Sequence, residues 1–206
     1  MNYRSLVPYI IRRFLKKKVG IQDTWNTLIK LKKEHNFYPK TILDIGAYKG
    51  EWTKMCLKIY PDAKYYLFEP QKRLELVFKK PLPNNIIYEN ILLGQKNHHN
   101  VNFYENKTSS SVFRFGNHNN PTPKKTISLD SFSNKQKISS IDILKIDVQG
   151  YELEVLKGAV SSLKNTQFII VEVSFLEIYE KAPLAHEVIQ FLDIQNFLLM
   201  SCPDFQ

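Results

Sequence analysis

Apolar positions recur at helical spacing in two N-terminal stretches, then give way to short apolar runs that alternate with further helical ones. In residues 4–18, Leu6, Ile10 and Phe14 follow one face of a short basic helix, which Gly20 interrupts. Residues 21–35 space Ile21, Trp25, Leu28 and Ile29 as a second helix. Pro39 bounds a change of period. Apolar runs predict strands over Thr41–Ala47, Lys64–Glu69, Ile86–Leu93, Asp142–Asp147, Gln167–Ser174 and Phe197–Ser201, with shorter ones at Val101–Tyr104 and Thr126–Leu129. Between them, Glu51–Tyr60, Gln71–Lys80, Tyr151–Lys157 and Leu184–Gln195 read as helices, the third with Gly158 placed as its stop. Residues 95–125 are polar and irregular, and there are no internal repeats. Alternating strand and helix implies a doubly wound α/β fold, with a mostly parallel sheet covered on both faces. Such sheets bind ligands at the carboxyl ends of their strands, near the point where the strand order reverses. The pattern divides the chain into a helical N-terminal arm, residues 1–38, and one α/β domain, residues 39–206.

Length agrees: 206 residues suit one such domain and can bury a core without a disulfide scaffold. Cys56 and Cys202 lie far apart with no CxxC spacing, which excludes a cysteine zinc ribbon or redox dithiol and fits a reducing, cytoplasmic setting. No apolar run approaches the ~18 residues of a membrane span. The net charge of +9 is concentrated: residues 1–40 carry +8 and the rest +1. A nucleic-acid-binding domain would spread its basic charge, so no nucleic-acid partner is expected. Clustered bases Arg12, Arg13, Lys16, Lys17 and Lys18 beside Leu6, Val7, Ile10, Ile11, Phe14 and Leu15 describe either an interfacial helix or a helix packed on its neighbour. In the first case, residues 1–20 touch an anionic membrane surface peripherally, on its inner face.

The chemistry concentrates at strand ends. In TILDIGAYKG, residues 41–50, an apolar strand carries Asp44, and Gly46 and Gly50 flank a turn into a helix. Gly46 permits close backbone approach to a ligand. A dinucleotide loop would need GxGxxG, and here the middle glycine is missing. An acid at position 44 suits a cationic ligand, such as a sulfonium, better than a pyrophosphate. In YLFEP, Glu69 ends the next strand, 23 residues after Gly46, where an acid can accept hydrogen bonds from a ribose diol. In IDILKIDVQG, Lys145 and Asp147 share one face of a buried strand, which is costly unless they are paired or used. A structural ion pair and a functional acid both satisfy that pattern. Glu172, in FIIVEVS, is a fourth acid near a strand end. His98 and His99 lie in a polar loop with no acid or cysteine to complete a ligand set, so no metal site is expected. Ser109–Ser111 lack the nucleophile-elbow surroundings, and His186 faces either the site or solvent.

In this order the segments DIGAYKG (44–50), FEP (68–70), LLGQ (92–95), ISLD (127–130), KIDVQG (145–150), ELEVLKGA (152–159) and IIVEVS (169–174) resemble the FkbM family of S-adenosylmethionine-dependent methyltransferases. The resemblance covers roughly residues 40–200. It implies a class I, Rossmann-like methyltransferase fold, S-adenosylmethionine as cofactor, and O-methylation of a glycan or related metabolite hydroxyl. Carried over, Asp44, Gly46, Ala47 and Gly50 would form the methionine-side loop and Glu69 would hold the ribose. Asp147 would sit beside the methyl group, and Asp147 or Glu172 would take the acceptor's proton. Three features depart from the family. Gln149 stands where it usually has Glu, Leu92 and Gln95 replace an Ala and an Asp, and only five residues follow Ser201. The last is expected to leave the sheet without its final strand.

Overall fold

The structure, a computed structural model, describes residues 24–79, 81–114 and 120–200. The expected helix over residues 4–18, and with it the membrane contact assigned to residues 1–20, lies outside them.

A first helix, α1 (residues 24–35), precedes β1 (Thr41–Ile45), α2 (Glu51–Ile59), β2 (Lys64–Phe68), α3 (Glu75–Phe78) and β3 (Ile86–Glu89). Then follow β4 (Leu92–Leu93), β5 (Asn100–Phe103), β6 (Thr122–Ile127), α4 (Leu129–Gln136), β7 (Ile141–Ile146), α5 (Glu152–Lys157), α6 (Val160–Leu163), β8 (Thr166–Val171) and α7 (Ala185–Ile194). The main sheet has five parallel strands in the order β3-β2-β1-β7-β8. The order reverses between β1 and β7. This is the doubly wound α/β arrangement expected, and in such sheets ligands bind at that junction.

Both faces of the sheet are covered. Leu43, Ile45, Tyr66, Phe68, Leu144 and Ile146 point to one side and pack with Leu129, Phe132, Val155 and Leu156. Ile42, Tyr65, Leu67 and Ile143 point to the other and pack with Leu28, Cys56 and Ile59. The period-two alternation is why β1 and β7 read as near-continuous apolar runs. Helix α1 is part of the second core: Leu28 and Leu31 are buried, and the Tyr60 hydroxyl donates to the Leu28 carbonyl at 2.8 Å. No helix among the described residues is long and apolar enough to cross a membrane.

Several expected elements take a different form. The run Ile86–Leu93 is two strands, because the chain turns at Asn90, whose amide donates to the Glu69 carbonyl at 2.8 Å. Leu92–Leu93 joins a separate three-stranded sheet, β4-β6-β5, built from the 95–127 segment. The expected helix over Gln71–Lys80 is a 3-10 turn, Lys72–Leu74, followed by the short α3. The expected strand Thr126–Leu129 ends at Ile127, where Ser128 caps α4 by accepting the Ser131 N–H at 3.2 Å. The expected strand at Phe197–Ser201 is irregular over residues 197–200, and Ser201 lies outside the described residues. The reason is local. Asn196 takes a φ of 66°, the Phe197 N–H donates to Leu192 and the Asn196 N–H to Asp193. That pairing is a Schellman stop, in which Phe197 folds back onto the helix and its neighbours. Among the described residues, β8 pairs only with β7, at the edge of the main sheet.

Candidate active site

The carboxyl ends of β1, β2, β7 and β8 converge on one edge of the sheet. After β1 the chain turns sharply: Gly46 has φ 78°, and its N–H and that of Ala47 both donate to the Phe68 carbonyl, at 2.9 and 3.0 Å. A Cβ on Gly46 would lie 1.9 Å from the Asp147 carbonyl oxygen. Glycine is required here because β7's exit passes against the turn. Tyr48 follows at φ 48°, and Gly50, φ 73°, opens α2.

Glu69 sets the shape of this turn. Its Oε2 accepts the Tyr48 N–H and its Oε1 the Gln71 N–H, each at 2.9 Å. Burial pushes its pKa up, against those two hydrogen bonds and the field of Lys145. A carboxylate offers about four lone-pair sites, so acceptor capacity remains beyond these bonds and the one from the Gln71 side chain.

Asp44 is fully buried, and both of its oxygens are engaged. Oδ2 accepts the Thr53 hydroxyl at 2.7 Å and Oδ1 lies 3.1 Å from Lys145 Nζ, its register partner across β1 and β7. Lys145 also donates to the Gly46 carbonyl at 3.2 Å and lies 3.6 Å from Asp147 Oδ2. Burial works against its charge, but Asp44 and Asp147 outweigh that and raise its pKa. The cation that Asp44 faces is therefore Lys145, a residue of the chain itself.

Asp147 and Glu172 stand just past the ends of β7 and β8. The Gln149 amide nitrogen donates to both, to Asp147 Oδ1 at 2.7 Å and to Glu172 Oε2 at 2.6 Å. Glu152 completes the group: one oxygen from each of the three acids lies within 4.8 Å of the others. Glu152 Oε1 accepts the Val148 and Gly150 N–H groups, at 2.9 and 3.1 Å, and so closes the turn after β7. Tyr179 donates its hydroxyl to Gln149 Oε1 at 2.8 Å, and Ser111 Oγ donates to the Gln149 carbonyl at 2.7 Å. Two connecting segments are thus tied over the carboxylates.

Burial, the largest influence, pushes Glu152 up to about 7, with Asp147 adding to it and the backbone N–H groups opposing it. An acid raised in the folded state stabilises that state below the unfolded value of about 4.5. That stability is lost as pH rises through about 7. Glu152→Gln keeps an acceptor for both N–H groups and removes the charge. Its melting temperature is expected to match wild type near pH 4 and exceed it at pH 8. The difference is on the order of 3 kcal/mol at most, from 1.36 kcal/mol per unit. Melting curves across that range check it, and a constant offset would remove the linkage.

Of the residues singled out in the sequence, Asp44, Gly46, Ala47, Gly50, Glu69, Asp147 and Glu172 all fall at this edge. His98, His99 and His186 are exposed to solvent. Thr53, Glu152 and Tyr179 carried no recognisable sequence signal. Glu152 looked like the first-turn acid of a helix, and Tyr179 lies in a connection whose course only the tertiary structure sets.

Residues 44–199 match the family described as "Methyltransferase FkbM domain". The chain is similar to "2-O-methyltransferase NoeI" of Sinorhizobium fredii, 28% identical over 160 residues, which cover 68% of this chain and 65% of that protein. It is also similar to "Hexuronic acid methyltransferase AglP" of Haloferax volcanii, 43% identical over 49 residues, 24% of this chain and 20% of that one. "Methyltransferase str2" of Strobilurus tenacellus is 40% identical over 53 residues, 26% of this chain and 18% of that one. The chain spans less than two thirds of the length of these curated relatives.

Proposed function

Because the chain belongs to the FkbM methyltransferase family, we propose that it moves a methyl group from S-adenosylmethionine to a hydroxyl oxygen of a sugar or related metabolite. The observation that carries this reading is one juxtaposition. The Gly46–Gly50 turn with Glu69 lies on one side of the strand-order reversal, and the Asp147–Glu172 pair on the other. The residues are compatible with the cofactor: Glu69 keeps acceptor capacity toward a ribose diol beyond its bonds from Tyr48 and Gln71. When bound, S-adenosylmethionine supplies an electrophilic methyl group. The chain's own contribution is to hold the acceptor hydroxyl in line and to take its proton. Asp147 and Glu172 are the carboxylates in place for the second task. Two of the relatives carry 2-O-methyltransferase and hexuronic acid methyltransferase in their names, which supports a sugar hydroxyl as acceptor.

Titration calorimetry of the chain with S-adenosylmethionine and with NAD tests the reading. Heat from the first alone supports it. Heat from NAD alone would make the chain a nicotinamide-binding protein, and heat from neither a binding module that kept only the fold. Glu69→Ala is expected to weaken S-adenosylmethionine binding by roughly 1.5–3 kcal/mol, about ten- to a hundredfold, the range for hydrogen bonds to a charged group. An unchanged affinity in a folded variant would remove Glu69 from the ribose.

A further inference from the structure

The surroundings of Gln149 use every polar atom of its side chain. Its nitrogen is shared between Asp147 Oδ1 at 2.7 Å and Glu172 Oε2 at 2.6 Å, and its oxygen takes the Tyr179 hydroxyl at 2.8 Å. The orientation is dictated by chemistry: turned over, the amide would set its oxygen against two carboxylates and its nitrogen against a hydroxyl donor. The backbone supports the same placement. Residue 149 holds φ 58°, a left-handed conformation that is unusual for a glutamine, and its carbonyl is anchored by Ser111.

We propose that Gln149 is the positioning residue of the site, a neutral double donor that holds Asp147 and Glu172 side by side as two ionised proton acceptors. The proposal rests on the reading of those two acids as the base of a methyl transfer. Two carboxylates brought this close repel, and unaided one of them retains a proton. A neutral N–H donated to each favours both charged forms without adding a titrating group. A Glu at this position would add a third negative charge to the pair and donate nothing unless protonated. Among the described residues, groups that face the pair include Lys145 from β7, with Asp44 of β1 behind it, Glu152 from α5, and Tyr179 from the segment before α7. Lys145 lies nearer Asp147 and is shared with Asp44, and its field also reaches Glu172, but the hydrogen bond that joins the two acids is the one through Gln149. Burial raises the Tyr179 pKa, which keeps its hydroxyl a donor and Gln149 Oε1 an acceptor.

The test follows the carboxyl groups directly, in the full chain without cofactor. Aspartate and glutamate carboxyls are labelled with 13C and titrated by NMR, with Asp147→Asn, Glu172→Gln and Glu152→Gln assigning the three signals. In Gln149→Leu, the Asp147 or the Glu172 signal is expected to titrate at least about one pH unit higher than in wild type. Gln149→Asn serves as a second variant, because asparagine tolerates the left-handed backbone well while its shorter side chain cannot span both acids. It should show the same shift, and the acidic limb of the methyl-transfer pH profile should rise with it. Asp147 and Glu172 titrating as in wild type in a folded variant would overturn the proposal and leave Gln149 a packing residue. The carboxyl titration needs no S-adenosylmethionine, so failure of the methyltransferase reading shows in the calorimetry and not here.

Discussion

Lys145→Met is expected to lower the unfolding free energy by about 3–5 kcal/mol, the cost of leaving a buried charge without its partner. The charge left behind is Asp44, whose side chain is 0% exposed and whose Oδ1 faces Lys145 Nζ at 3.1 Å. Against a total domain stability of about 5–15 kcal/mol, that is a large share. The same substitution frees the Gly46 carbonyl, so the turn beneath the proposed cofactor site loosens as well. Chemical denaturation measures the loss. Asp44→Asn combined with Lys145→Met supplies the control, because it removes both charges and keeps an oxygen for the Thr53 hydroxyl. The double variant should recover most of the stability, with a coupling energy of a few kcal/mol in the cycle. A Lys145→Met protein as stable as wild type would show that the pair contributes nothing to folding.

That pair also marks how far the sequence could be read. The period-two pattern of IDILKID placed Lys145 and Asp147 on one face, and that is where they are. What it could not supply is the neighbouring strand. Only the register Asp44↔Lys145 shows that the lysine's nearer partner lies 101 residues earlier. The mostly parallel, doubly wound character of the main sheet was implied by alternating strand and helix, and Gly46 by a tight turn after β1. The misreadings share a cause. Ile86–Leu93 reads as one apolar run interrupted only by Glu89 and Asn90, and nothing in that pattern shows that Asn90 breaks the pairing to bond with Glu69. Phe197–Met200 is apolar as well, but a Schellman stop decides its course, and β-propensity does not report such a contact. The bridge from Gln149 to Glu172 joins the ends of two strands through a left-handed residue. Its ingredients stood in the sequence as separate motifs, and their contact depends on β7 and β8 being neighbours.

Asp147→Asn is expected to leave the protein folded and to lower methyl transfer by roughly 10²–10⁴-fold, the range for removing a general acid–base group. The distinction from Lys145 is one of exposure. The Asp147 side chain is 39% exposed and 3.6 Å from Lys145, so solvent screens its end of the pair and its share of the stability is smaller than that of Asp44. An asparagine in the same rotamer still presents an oxygen to the Gln149 amide and turns its nitrogen toward the lysine, where the separation is tolerable. What it loses is the negative charge at the end of β7. Turnover of S-adenosylmethionine with monosaccharide acceptors, alongside a melting curve, separates the alternatives. A folded variant with wild-type turnover would pass the proton-accepting role to Glu172, and Glu172→Gln would then show the fall instead. A variant that unfolds, yet turns over normally once refolded in stabilising osmolyte, would make Asp147 a structural ion-pair partner, the other meaning its place beside Lys145 allows.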